Sequence, residues 1–415
     1  MTASRRAAAC VAACALTAHS TGMAHGEGPA RVAGVNEDAR LNWRRGWVQP
    51  HDAQAAADRS DEFAWRVFVA VNWPAAAGAR SANPQVPLGA DLPTVWETWA
   101  NASGVFREDG ADPGPWQAQA PAPRPSDSTR FDTSSLKDLP NLRHIVDGKM
   151  VPLGDPVSSA RRLTEIRINR PEFEYIREHE LYNLEGQLQV LAAQRMVNFP
   201  ATSTEVKAKW RPIEASDKSR YHTVEVRLGD GRTRLFGLTA LHVVTKDLPN
   251  WFWATFEQVD NPGLADSDGW QLPSRDRFAC GVERPDCNRA PSGIGLEGTA
   301  WDNYRLRGTL TRFVGTDGQA LRLANSELEA GIQQTASCIT CHARASIGRI
   351  GDTAMRLPIF DGAAEAVSDA VGHSGYVGLP QASWFEGVAG AQARPRFRPL
   401  DFVWSLSKAK PKGGS

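Results

Sequence analysis

The sequence lacks a net charge, and it lacks any apolar run long enough to cross a bilayer. Its 415 residues carry 47 basic and 47 acidic side chains. Balanced charge without a basic run gives no electrostatic reason to bind a nucleic acid. No later segment approaches the roughly 18 consecutive apolar residues that a transmembrane helix needs. We therefore expect no nucleic-acid partner and no transmembrane segment.

Cysteine and methionine are also scarce, with 6 and 5 residues respectively. The cysteines form three close pairs, which are Cys10 with Cys14, Cys280 with Cys287, and Cys338 with Cys341. Only one methionine, Met355, follows the last pair. Each pair therefore has to be interpreted from its own surroundings, and Met355 is the one thioether available beyond residue 341.

The first 24 residues have the pattern of a secretory signal peptide. Arg5 and Arg6 precede an apolar run over 7–18, and small residues follow at 22–24. This order of charge, apolar run and small residues predicts export and removal of residues 1–24. An alternative is lipoprotein processing at Cys14, because residues 11–14 resemble a lipobox, and an acyl anchor there would tether the protein to a membrane.

Export places the remaining cysteines in an oxidising compartment. Cys280 and Cys287 are separated by six residues that include Pro285. Thiols that are close in sequence and exposed to an oxidising compartment usually pair. We therefore expect a disulfide between Cys280 and Cys287 that stiffens this short loop.

The stretch Cys338-Ile339-Thr340-Cys341-His342 carries the most chemical information in the chain. Cys-x-x-Cys-His is the attachment signature of a c-type haem, in which two thioethers hold the porphyrin and the imidazole binds iron. A zinc site would need two more ligands, and the spacing of Cys280 and Cys287 does not suit a zinc knuckle. A redox dithiol would start a helix that follows a strand, whereas this pair follows a long helical pattern. We predict one covalent haem c on Cys338, Cys341 and His342.

The residues before the motif favour a helix. Ser326 and Glu329 fit a capping box, and apolar residues recur at helical spacing after them. We predict a helix from about Ser326 to Ser346, which would place the two cysteines and the histidine on one face.

The second axial ligand of the iron is open in the sequence. Met355 lies thirteen residues after His342, close enough to pass around the porphyrin edge, although its apolar neighbours also suit a core methionine. His373 is a second candidate, and an upstream residue or an open site is a third. His242 is the best upstream candidate, but a histidine on a strand is usually a hydrogen-bonded sheet residue. We predict His342 and Met355 as the metal ligands.

Three arginines follow the motif, at positions 344, 349 and 356. Guanidinium groups pair with carboxylates in two-point contacts, so Arg344, Arg349 and Arg356 are candidates to neutralise the haem propionates. The alternative is that they are ordinary surface charges.

The rest of the chain predicts an α+β fold, with an antiparallel sheet body and a C-terminal helical haem-binding segment. Helical patterns cover 61–73, 92–100 and 183–197, and a Pro- and Gly-rich surface excursion covers about 101–140. Strand patterns cover 205–213, 222–228, 234–245 and 251–259, which suggests an antiparallel meander. We expect an α+β body over 25–310 and a cytochrome c-like region over 311–415.

At Cys338, Cys341 and His342 the chain resembles the c-type cytochromes. Three further blocks, at 63–74, 251–261 and 400–406, resemble those of large exported bacterial proteins with a single haem-c site. This resemblance implies a periplasmic monohaem cytochrome that passes single electrons to redox partner proteins. The main alternative is a haem-dependent oxidoreductase with an open iron site, in which the body forms a substrate pocket, and a third is a binding protein that uses haem as a sensor or structural staple.

Overall fold

The computed structural model describes residues 43, 45–119, 126–127, 143–146, 149–152, 163–228, 230–261, 276–281, 287–329, 336–350, 353–357, 377–385 and 397–413. The predicted signal peptide and the candidate acylation residue Cys14 lie outside these residues. Within the described part of the chain, no helix has the length and apolarity that a membrane span needs.

The helices are short and number seven among the described residues. In chain order they are α1 (Ala53–Asp58), α2 (Ser60–Val71), α3 (Ala102–Val105), α4 (Arg170–Glu178), α5 (Leu184–Ala192), α6 (Arg277–Cys280) and α7 (Cys338–His342). The predicted helices over 61–73 and 183–197 are confirmed as α2 and α5. The prediction over 92–100 is wrong, because only a single 3₁₀ turn forms there, over Trp96–Thr98.

The strands form one large sheet, a three-stranded sheet and a hairpin. They are β1 (Ala100–Asn101), β2 (Ser126–Asp127), β3 (Arg143–Val146), β4 (Lys149–Pro152), β5 (Leu163–Ile168), β6 (Thr204–Pro212), β7 (Thr223–Arg227), β8 (Thr233–Thr245), β9 (Phe252–Gln258), β10 (Tyr304–Leu310), β11 (Ser346–Ile350), β12 (Thr353–Met355) and β13 (Phe397–Pro399). Apart from the parallel pair β2 and β7, the strand pairs are antiparallel. The α+β class and its antiparallel sheet are therefore confirmed.

The large sheet is organised around the long strand β8. One edge of β8 pairs with β6, while its other edge pairs first with β7 and then with β9. A turn joins β7 to β8, where the Gly231 amide donates to the Leu228 carbonyl at 2.9 Å and Gly231 takes a left-handed φ of 81°. The simple meander is wrong, since β6 pairs with β8 and with β5 rather than with β7.

One face of this sheet packs on α2 through aromatic rings. Phe252, Ala254 and Phe256 alternate on β9 and point to this side, where Phe63 and Trp65 of α2 meet them with ring centres 4.8 and 5.1 Å apart. All of these side chains are almost fully buried. The aromatic content of α2 and β9 therefore forms the centre of the core.

The opposite face of β9 is polar and covered by the C-terminal third of the chain. It carries Trp253, Thr255 and Glu257, whose burial leaves at most 3% of any of them exposed. Described parts of the chain after β10 contact this face, namely the turn at 325–329, His342 and the segment 400–408. The Cys-x-x-Cys-His motif is thus held against the large sheet.

The predicted long helix over 326–346 is wrong. Residues 326–329 form a turn, α7 begins only at Cys338, and β11 already starts at Ser346. Asn325, and not Ser326, is the capping residue of this turn. Its side-chain oxygen accepts from the Glu327 and Leu328 amides. Glu329 then accepts the Asn325 amide at 2.8 Å. This turn anchors to the sheet, and residues 326–329 are not helical.

The predicted disulfide is confirmed. Cys280, the last residue of α6, and Cys287 are joined with an S–S distance of 2.01 Å. Asp276 caps α6 at its other end through the Ala279 amide. The bond therefore closes the short loop predicted from the sequence.

Candidate haem-attachment site

The short helix α7 separates its residues into a buried side and an accessible side. Ile339 and Thr340 have no exposed surface, whereas Cys338, Cys341 and His342 are each half-buried. Positions i, i+3 and i+4 of a helix lie on the same side, so a single turn is enough to group these three. The grouping that the sequence predicted is therefore present, although the helix that provides it is much shorter.

The buried side of α7 is fixed by hydrogen bonds to distant segments. The Thr340 hydroxyl donates to the Gly378 carbonyl at 2.8 Å, and Ser337 forms a bridge with Leu323 just before the helix. The Cys338 sulfur lies 3.3 Å from the Leu323 carbonyl oxygen. These contacts hold the motif in place from residues outside it.

His342 has a defined orientation. Its Nδ1 lies 2.8 Å from the carbonyl oxygen of Phe402. Because a carbonyl oxygen can only accept, Nδ1 is the protonated nitrogen, and the ring lone pair is on Nε2. The indole ring of Trp253 packs on the imidazole with ring centres 4.4 Å apart. A hydrogen bond to Nδ1 is the arrangement that fixes a histidine for metal binding through its other nitrogen.

The segment of residues 400–404, which we name the C-terminal clamp, contacts the motif at two points and the residues just after it at a third. Besides the Phe402 carbonyl, the Leu400 amide donates to the Ala345 carbonyl at 2.8 Å. The Trp404 indole nitrogen donates to the Cys341 carbonyl, also at 2.8 Å. The clamp therefore runs along the chain from Cys341, in the motif, to Ala345, three residues after it.

The turn at 325–329 attaches the approach to the motif to the sheet. The side-chain nitrogen Nδ2 of Asn325 donates to the Thr255 hydroxyl at 2.8 Å and to the Phe256 carbonyl at 3.1 Å. The Ser326 amide donates to Glu257, which also pairs with Arg305 at 3.3 Å. These buried polar residues of the sheet are therefore used to hold the turn.

The candidates for a second axial ligand are dispersed. Met355 is half-buried on β12 opposite Gly348 of β11, on a different element from the motif, and its ligation stays a prediction. His373 lies outside the described residues. His242 is confirmed as a hydrogen-bonded sheet histidine, because its Nε2 lies 3.1 Å from a carboxylate oxygen of Glu329.

The three arginines after the motif have different surroundings. Arg356 is a structural residue, because its guanidinium bonds to the carbonyls of Ser346 and Leu406 and to the Gln187 side chain. Its burial lowers its pKa to about 10. These bonds occupy donors of Arg356, and its contact with a propionate stays a prediction. Arg344 is buried and stacks over Trp384 at 4.2 Å, whereas Arg349 is exposed.

The residues present fit a covalently attached haem. Two thiols and an oriented imidazole share an accessible side, and the lone pair of His342 is on the nitrogen that does not face the clamp. The zinc alternative loses its proposed extra ligands, because Cys280 and Cys287 are bonded to each other. Among the described residues, the motif included, no group of three histidine, cysteine or acidic side chains is arranged to hold a bare metal ion.

The dithiol alternative gains one feature. Cys338 starts α7, so the objection that the cysteines follow a long helix does not hold. The residue before it forms only an isolated bridge, not the strand that precedes a thioredoxin-like dithiol. The two readings differ in whether the cysteines keep their thiol groups, which is a measurable property.

Three residues of the site were not singled out from the sequence, namely Phe402, Trp404 and Trp253. The contact of Phe402 uses a backbone carbonyl, which leaves no trace in residue type. The tryptophans do leave a signal, since Trp253 and Trp404 lie in the aromatic blocks 251–261 and 400–406. Their density, rather than any motif, marks the segments that surround the site.

No protein-family model, no curated protein and no solved structure matches this chain.

Proposed function

We propose that this chain is an exported, periplasmic monohaem c-type cytochrome that transfers single electrons between redox partner proteins. The observation that carries the proposal is the hydrogen bond from His342 Nδ1 to the Phe402 carbonyl, together with two cysteines on the same accessible side. This bond leaves Nε2 as the coordinating atom, which is what a proximal haem ligand requires. The cytochrome c-like region would extend over 311–415, after removal of residues 1–24.

Each residue of the motif has a separate task in this proposal. The Cys338 and Cys341 thiols would each add across a vinyl group, forming a C–S bond while the thiol proton passes to the neighbouring vinyl carbon. His342 would bind iron through Nε2, and the clamp would keep its ring from rotating. Haem supplies reversible one-electron exchange when bound. Met355 is the proposed second ligand, since its thioether is the only one after the motif.

The attachment is tested by expressing the full chain in a host that matures c-type cytochromes. A pyridine haemochrome spectrum, and haem staining that survives denaturation, should show one haem per chain. Cys338→Ala and Cys341→Ala should each remove one thioether, and the double variant should lose covalent haem entirely. Cys280→Ala with Cys287→Ala is the matched control, which should keep the haem. Two titratable thiols and no haem in the exported protein would reject the proposal in favour of a dithiol.

The second ligand is tested on the same protein. A ferric spectrum with the long-wavelength charge-transfer band of thioether ligation, lost in Met355→Ala, would support Met355. Carbon monoxide should leave the reduced spectrum unchanged if the iron is six-coordinate. Rapid carbon monoxide binding by the wild-type protein would instead favour the haem-dependent oxidoreductase.

A further inference from the structure

We propose that Asp401, through its ion pair with Lys246, is a positioning residue that keeps the Phe402 carbonyl on His342 and thereby lowers the reduction potential of the haem. This inference rests on the proposed function. It adds a residue whose side chain contacts neither the motif nor the proposed iron position, and which acts through the backbone of its neighbour.

The backbone at the clamp is in an uncommon conformation. Asp401 and Phe402 have φ values of 47° and 69°, so two consecutive residues other than glycine lie in the left-handed region. Aspartate tolerates this region better than most residues, whereas a bulky phenylalanine does not. Such a conformation persists only where the surrounding structure imposes it, and such residues cluster at functional sites. Here it aims the Phe402 carbonyl at the imidazole of His342.

The carboxylate of Asp401 provides that constraint. One of its oxygens accepts from Lys246 Nζ at 2.7 Å and the other accepts from the Phe199 amide at 2.8 Å. The two charged side chains are only 7% and 8% exposed. A buried, charge-assisted hydrogen bond of this kind is strong and directional. Lys246 Nζ also donates to the Pro249 carbonyl at 2.8 Å, so the cation is itself held from a second side.

Other charged groups approach this pair from the packed elements. Glu172 of α4 interacts electrostatically with Asp401 and with Glu205 of β6. Burial raises the pKa of both Glu172 and Glu205, so neither group competes with Asp401 for Lys246 as a full negative charge. The ion pair is therefore the only described contact that neutralises Asp401 with a full positive charge.

The hydrogen bond at Nδ1 affects the iron through the electrons of the ring. A carbonyl that accepts the Nδ1 proton makes the imidazole a stronger donor, which favours ferric over ferrous iron. Loosening the clamp weakens this bond and should raise the potential. Substitution of such a hydrogen-bond partner typically changes metal affinity or activity by 10- to 100-fold. We expect the equilibrium to shift about tenfold toward the reduced form, which for a one-electron couple is about 59 mV.

The test uses the haem-loaded full chain and three variants. Asp401→Asn keeps a residue that tolerates the left-handed region but removes the charge, and Lys246→Met removes the other partner. Asp247→Asn is the control, because Asp247 directly follows Lys246 but pairs with His51 and Thr245. Midpoint potentials should rise in the first two variants and stay at the wild-type value in the control. The double variant should match either single variant, since both remove the same contact.

Potentials of Asp401→Asn and Lys246→Met within the range of the control would overturn the inference. If Asp401→Asn does not fold, Lys246→Met carries the same test, because it leaves residues 401 and 402 unchanged. A chain that takes up no haem would reject the proposed function but not the positioning claim. In that case ¹⁵N chemical shifts of His342 should show the Nδ1–H tautomer in the control and a mixture of tautomers in Asp401→Asn. An unchanged tautomer would reject the positioning claim separately.

Discussion

The indole ring of Trp253 lies against the imidazole of His342, with the ring centres 4.4 Å apart. The neighbours of Trp253 on β9, Phe252 and Ala254, point to the opposite face and into the aromatic core. Its indole nitrogen donates to the Asn250 carbonyl at 2.9 Å, which fixes the ring. Strand β9 therefore contacts the core with one face and the proposed proximal ligand with the other.

This relationship predicts different results for two substitutions at residue 253. Trp253→Phe keeps a ring on the imidazole and loses one hydrogen bond, so the free energy of unfolding should fall by about 1 kcal/mol. Trp253→Leu removes the ring as well and should cost about 2–4 kcal/mol. In an acid titration of the holoprotein, the iron–histidine bond of the leucine variant should break at a higher pH than that of the phenylalanine variant. Equal acid titrations for the two variants would show that the ring does not support His342.

The free energy of unfolding should fall as pH rises because of Asp276. Burial raises the pKa of this carboxyl group from its ordinary 3.8 to about 7, and Asp61 adds to the effect, although bonds from Ala279 and Trp65 oppose it. Between these values the folded protein holds a proton that the unfolded chain has released, so stability is lost as pH rises from about 4 to 7. The loss is on the order of a few kcal/mol. Asp276→Asn should flatten this dependence in urea titrations, and parallel curves for the two proteins would contradict it.

The sequence predicted the elements best where one pattern covered a whole segment. Strands β6 to β9 and helices α2 and α5 were found because their apolar periodicity is uninterrupted. Strands β5 and β10 were missed because buried polar residues interrupt the apolar pattern; Glu165 and Arg167, for example, pair at 2.7 Å inside the core. The order of the strands in the large sheet could not be predicted from sequence patterns, because β8 pairs with other strands along both of its edges.

The candidate site was predicted in its chemistry but not in its support. The spacing of Cys338, Cys341 and His342 is local, so one helical turn suffices to bring them together. At residues 326–329, where the helix was expected to begin, the chain forms a turn that the sheet holds through Asn325. Phe402, sixty residues away, contributes only a backbone oxygen. Long-range backbone contacts of this kind do not depend on residue type, so no sequence pattern reveals them.

Glu172 should make the protein less stable in alkaline solution. The side chain is fully buried, and neither carboxylate oxygen has a hydrogen-bond partner among the described residues. Burial raises the pKa of Glu172 well above its usual range, and the charges of Glu205 and Asp401 raise it further. The folded state therefore holds a proton that the unfolded chain releases above its ordinary pKa of 4.5, and stability falls as pH rises.

Glu172→Gln should remove this dependence. Relative to wild type, the variant should become increasingly stable as pH rises from 5 to 9, measured by urea denaturation at each pH. Glu174→Gln is the control on the same helix, because Glu174 pairs with Arg170 at the surface. It should change stability by no more than about 0.5 kcal/mol. A Glu172→Gln variant whose pH profile parallels the wild type would show that the carboxyl group does not titrate in this range.

Asn325 should be one of the most sensitive positions outside the motif. Its side chain is fully buried and satisfies four hydrogen-bond partners, two on the sheet and two in its own turn. Asn325→Ala leaves the buried partners Thr255 and Phe256 without this donor, so the free energy of unfolding should fall by about 2–4 kcal/mol.

The control is Asn83→Ala, because Asn83 caps only an exposed turn through the Gln85 amide. Its cost should stay within about 1 kcal/mol. Hydrogen exchange then separates local from global effects. If the turn at 325–329 anchors the motif, Asn325→Ala should speed amide exchange of α7 more than that of α2, which packs on the opposite face of the sheet. Equal acceleration in both helices would mean that Asn325 supports the whole fold and not the motif in particular.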